Sequence, residues 1–197
     1  LPRYEDWQTM VDHYANLLKQ DYDQVWLGGF STGGNLVTIH SIENTGVSGL
    51  LLFSPGFQSR APFMERLAPF VSLFIDGYTA EEKNKARYTS APINGAIAYS
   101  ESAQKLRKLL NEHKVSIPTL VAVSESDSII DPEAVKTLFD KGFDHPMNQL
   151  IWYGENQGPS ASITSLTMQL DEFKISSASH MSLTFAPSNP YYGQQGE

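Results

Sequence analysis

Apolar residues recur along this chain at two spacings, and the two alternate. Residues 7–18 carry Trp7, Met10, Val11, Tyr14, Leu17 and Leu18 on one helical face behind Asp6, a residue suited to an N-cap. Residues 25–30 read as a short apolar strand, and 35–42 place Leu36, Ile39 and Ile42 at helical spacing. Residues 47–53 have the continuous apolar character of a buried strand and close on Ser54-Pro55-Gly56. A third helix is expected over about 102–113, with Leu106, Leu109 and Leu110. Ile117 to Val123 is the strongest buried-strand pattern in the chain. A helix over 132–141 follows, with Asp131 as cap and Pro132 at its first position, and then a strand over 149–153. Strand and helix in alternation predict an α/β fold, with a mostly parallel sheet covered by helices on both faces.

Two segments fall outside that alternation. Residues 57–98 hold Phe57, Phe63, Met64, Phe70, Phe74, Tyr78 and Tyr88, which suit either a helical excursion of the core or a separate apolar cover. Within them, Glu81-Glu82-Lys83-Asn84-Lys85 reads as a solvated helix face. Residues 155–174 begin with turn chemistry, alternate like a strand over 164–170, and are compatible with an inserted hairpin. The tail around Pro187 to Gly193, with Tyr191 and Tyr192, reads as a packed loop.

Composition narrows the possibilities. At 197 residues, with 41% hydrophobic and 11% aromatic positions, the chain suits one globular domain spanning 1–197. Its 14 basic against 22 acidic residues give a net charge of −8, against the clustered positive surface that nucleic acid requires. There is no cysteine, hence no disulfide, no thiolate chemistry and no cysteine zinc site. No apolar run approaches the ~18 residues of a membrane-spanning helix. The chain opens on Leu1-Pro2-Arg3, which reads as a processed or partial product, and its compartment stays open.

The candidate chemistry lies in Gly29-Phe30-Ser31-Thr32-Gly33, between the expected strand and helix. A serine on such a turn is held in a strained backbone conformation that exposes its hydroxyl. The chain crowds itself there, so small residues are expected two before and two after the serine. Gly34 would let the helix approach the sheet closely. A serine needs a base, and the base an orienting acid. Of five histidines, His13, His40, His113 and His145 are most simply helix-surface, helix-end or loop residues. His180 instead follows the small-residue run Ser176-Ser177-Ala178-Ser179 and is the expected base. The acid should leave the C-terminal end of a strand, where sites of open parallel sheets gather. Asp127 is favoured, with Asp131 and Glu125 as competitors.

The order Ser31, Asp127, His180 resembles the α/β-hydrolase superfamily, in particular its small esterases and monoacylglycerol-lipase-like members. The likeness rests on Gly-Phe-Ser-Thr-Gly-Gly, on Ser-Glu-Ser-Asp-Ser-Ile-Ile-Asp-Pro after a buried strand, on Ser-His-Met, and on Tyr4-Glu5-Asp6-Trp7 as the start of the preceding helix. It implies a serine hydrolase of carboxylic esters acting on a small-molecule substrate without cofactor or metal. In it, the backbone N–H of Thr32 is one donor to the oxyanion. It also implies that 57–98 is a lid meeting an acyl chain. One departure supports a rival, a non-catalytic ligand- or partner-binding member. The family's second oxyanion donor comes from an early loop marked His-Gly, and this chain has neither that dipeptide nor the strands before it. The expectation is an N-terminally incomplete fold whose strand at 25–30 is a bare edge. Such an edge invites self-association, poor solubility and hydrolysis at least ~10²-fold below that of the complete product.

Overall fold

The computed structural model describes residues 3–63, 67, 77–79, 90–155, 157, 160–169, 171–173, 175–185 and 188–189. Among the described residues the long helices are α1 (Tyr4–Asp21), α2 (Thr32–Glu43), α3 (Ile93–Glu112) and α4 (Pro132–Gly142). The strands are β1 (Trp26–Phe30), β2 (Gly49–Phe53), β3 (Gly77–Thr79), β4 (Ser90–Pro92), β5 (Thr119–Ser124), β6 (Gln149–Tyr153) and β7 (Ile163–Leu166). Five of them form one parallel sheet in the order β1-β2-β5-β6-β7, while β3 and β4 pair antiparallel on their own. This is the α/β architecture that the alternation predicts.

The sheet is built in chain order, with α2, α3 and α4 in the connections between its strands. Large apolar side chains are buried unequally on its two faces. Leu50, Leu52, Val121, Val123, Leu150 and Trp152 point to one face in register and are all but sealed from solvent. On the other face Leu51, Phe53, Leu120, Ile151 and Tyr153 are only half-buried. Among the described residues β1 pairs with β2 alone, and Trp26 on it is exposed.

Several elements differ from their sequence reading. Helix α1 starts at Tyr4, so Asp6 is not the N-cap but sits one turn in, where its Oδ2 accepts the Arg3 N–H at 2.8 Å. The helix turns Tyr4, Gln8 and Ala15 inward. Met10, Tyr14, Leu17 and Leu18 are left 59%, 57%, 45% and 42% exposed, so of the expected apolar face Trp7 and Val11 pack against the core and the rest does not. Gln8 Nε2 to Leu36 O at 3.3 Å and Asp12 to His40 draw the polar edge inward. Helix α3 begins nearly ten residues before the expected start, inside the segment read as an insertion. Its early turns bury Ala98, Ser100, Ser102 and Ala103, small residues that permit close approach but leave no strong apolar rhythm. Strand β7 is not part of a hairpin; it lies parallel to β6, with Leu150 opposite Ile163.

Phe57 is core, fully buried and stacked on Phe143 at 6.0 Å between centroids, while Phe63 is exposed. Met64, Phe70, Phe74, Tyr88, the run 81–85, Tyr191 and Tyr192 lie outside the described residues. Among the described residues no helix is long and apolar enough to cross a membrane.

Candidate active site

Where β1 becomes α2 the chain turns on one residue. Ser31 has φ 52° and ψ −120°, a left-handed conformation that a non-glycine residue adopts only when its surroundings impose it. A Cβ on Gly29 would lie 2.5 Å from the carbonyl group of Gly33 and from the Gly34 nitrogen, so position 29 admits no side chain. The reason expected for Gly33 does not hold, because a Cβ there meets nothing within 4 Å. Crowding in the turn is one-sided: the backbone of Gly33 is the obstacle and Gly29 the residue that must yield to it. Gly34 does allow close packing, since a Cβ on it would stand 2.9 Å from Pro55.

The loop after β2 clamps the turn. Ser31 N–H donates to Phe53 O at 3.1 Å, and Ser31 O accepts from Gly34 at 3.0 Å and Gly56 at 2.8 Å. Beneath it the buried Asn35 Nδ2 donates to Gly56 O at 2.8 Å and to Ser102 Oγ at 3.0 Å. Thr32 opens α2, where the first N–H groups have no carbonyl partner within the helix.

The three acidic candidates separate cleanly. Asp131 caps α4, accepting from Glu133 N at 3.1 Å and Ala134 N at 3.2 Å. Glu125 turns toward β6, accepting from Trp152 Nε1 at 3.2 Å and Glu155 N at 2.6 Å. Asp127 is fully buried beyond the end of β5. Its Oδ1 accepts from Ile129 N at 2.8 Å and Ile130 N at 3.0 Å, and its Oδ2 lies 2.7 Å from His180 Nδ1. Burial alone would raise its pKa. The hydrogen bonds from His180 and from those two N–H groups outweigh it and hold the carboxyl below its usual range.

His180 reaches the site on a loop. Its ring lies 4.9 Å from that of Phe30, and its Nε2 is 3.1 Å from Ser31 Oγ. With Nδ1–H donating to the carboxylate, the neutral ring presents Nε2 as an acceptor for the serine hydroxyl. The structure thus joins Ser31, His180 and Asp127 in one line of hydrogen bonds.

The other histidines lie elsewhere. His13 is an exposed residue of α1, His113 follows α3, and His145 Nδ1 accepts Met147 N–H in a turn. His40, expected at a helix surface or helix end, is instead fully buried, with Nδ1 2.6 Å from Asp12 Oδ1. Helix α2 buries every residue from Gly34 to His40, being covered on all sides, so polar positions on it also face protein.

Sequence reading also passed over Ser124 and Arg60. The Arg60 guanidinium donates to the carbonyls of Asp127 and Glu125, and Ser59 bridges Ile130 antiparallel. A single arginine between Ser59 and Ala61 was the available signal.

No family model and no curated protein matches the chain. Solved structures do. A metagenome-derived lipolytic enzyme superposes with a TM-score of 0.65 at 17% identity, over 78% of this chain and 64% of its own. The fold is that of the α/β hydrolases. The monoacylglycerol lipase of Paleococcus ferrophilus gives 0.61 at 16% identity, over 77% of this chain and 65% of its own. A carboxyl esterase from Bacillus coagulans gives 0.56 at 13%, over 77% and 64%. This chain therefore spans less than two thirds of each of these α/β-hydrolase structures, and at such identities the likeness is one of fold.

Proposed function

We propose that the protein is a serine hydrolase that cleaves carboxylic esters, acyl esters or lipids among them, through an acyl-enzyme. Ser31 Oγ attacks the ester carbonyl carbon while its proton passes to His180 Nε2. Asp127 holds the imidazole and stabilises the imidazolium, and Thr32 N–H donates to the oxyanion. His180 then protonates the departing alcohol, and water repeats the sequence to release the acid. The observation that carries this reading is the unbroken pair of contacts, 3.1 Å from Ser31 to His180 and 2.7 Å from His180 to Asp127, beside a strained serine. Residues 57–98 serve in this reading as a lid within a single domain, entered beyond the core residue Phe57. Self-association through the β1 edge belongs to the same reading, and sedimentation at rising concentration measures it.

The alternative to this reading is ligand binding without turnover. Hydrolysis of short-chain nitrophenyl esters decides. Ser31→Ala is expected to abolish it while leaving the melting temperature nearly unchanged. A variant with most of the wild-type rate removes Ser31 from the mechanism.

A further inference from the structure

Asp127 and His180 lie on separate loops, and one buried hydroxyl joins them. Ser124 ends β5 and is fully buried. Its Oγ donates to Ala178 O at 2.5 Å and accepts Ser126 N–H at 3.2 Å, while its carbonyl accepts Asp127 N–H at 3.1 Å. Ala178, itself buried, stands two residues before His180, and Ser126 one before Asp127. A hydroxyl has one proton and two lone pairs, so it can serve both loops at once. Neither alanine nor glycine at this position could do so.

The requirement is geometric. A catalytic line of hydrogen bonds works when its groups are held within about 0.5 Å of the productive arrangement, and supporting hydrogen bonds supply that precision. The acid turn already has internal bonds from Oδ1 to Ile129 and Ile130. Those fix Asp127 against its own loop, not against the histidine. Arg60 grips the acid turn from outside and likewise leaves the histidine loop untouched. Among the described residues, the Ser124 hydroxyl is the bond that sets one loop against the other besides the Asp127–His180 contact itself.

We infer that Ser124 is a positioning residue, holding His180 in register with Asp127 through the Ala178 carbonyl. This rests on the proposed hydrolase reading of the site. Ser124→Ala is expected to lower kcat about 10- to 100-fold, the scale of a misplacement near 1 Å, with KM nearly unchanged. The downfield proton resonance of His180 Nδ1–H, assigned by its loss in His180→Ala, is expected to broaden or move. Ser124→Thr, which keeps the hydroxyl, should recover both. Asp131→Ala serves as a control, weakening the neighbouring helix cap without touching the tether, and should lower the melting temperature but spare kcat. An unchanged resonance with kcat near wild type in Ser124→Ala overturns the inference. So does a loss of kcat that Asp131→Ala reproduces at equal melting temperature. If the wild-type protein hydrolyses no ester, the hydrolase reading fails, yet the resonance still reports whether Ser124 sets the histidine.

Discussion

The turn carrying Ser31 and the loop carrying His180 meet at 3.1 Å, but they are specified in opposite ways. The serine turn is shaped by its own neighbours and only then clamped by Phe53 and Gly56: β1 enters, α2 leaves, and the backbone of Gly33 and Gly34 presses on Gly29. Among the described residues, the histidine loop has no regular element around His180 apart from the 3₁₀ turn Ser182–Thr184. It depends on the distant residues Ser124 and Asp127 for its place. The proposed nucleophile is thus written into a few neighbouring residues, whereas the proposed base is located by the finished fold.

The contrast breaks most visibly at the glycines. Gly29→Ala drives a Cβ into backbone that cannot rotate away, and should leave no measurable turnover together with a lowered melting temperature. Gly33→Ala has open space and a helical setting, and should keep activity while raising stability by about 0.5–1 kcal/mol. Equal effects of the two would show that the turn is not organised by one-sided crowding.

On the other side of the contrast, Asp127→Asn keeps the shape of the side chain but removes the charge that orients His180. Turnover should fall by up to about 10⁴-fold with the fold intact. A fall of less than tenfold would mean that the loop holds its histidine without the acid.

How far the sequence spoke follows the same division. Ser31 was legible because a strand, a glycine-flanked serine and a helix are local features. Asp131 was legible as a cap because Pro132 follows it. His180 was reached by elimination and by its small-residue run, but nothing nearby announces the Ser124 tether, since residues 124 and 178 are far apart in the chain. The burial of His40 and the outward turn of Met10, Tyr14, Leu17 and Leu18 escaped detection for a related reason. Each depends on what lies across from the helix, and periodicity says only what lies along it. The start of α3 was missed because small residues, not leucines, mark its closest packing.

A smaller effect is expected from acid. The folded state holds the Asp127 pKa below its unfolded value of about 3.9, so its contribution to stability is complete above that pH. It is lost as pH falls through the folded value. The melting-temperature advantage of wild type over Asp127→Asn should therefore be constant near neutrality and shrink below about pH 4. An advantage that grows on acidification would reverse the sign of the interaction.

The central claim is that Ser31 is activated by His180, and one measurement addresses it directly. A fluorophosphonate probe is incubated with the protein and the modified peptide is located by mass. The account predicts a single adduct on Ser31, absent in Ser31→Ala and formed far more slowly in His180→Ala. Labelling that is absent, that falls on another residue, or that proceeds at the wild-type rate without His180 would contradict it.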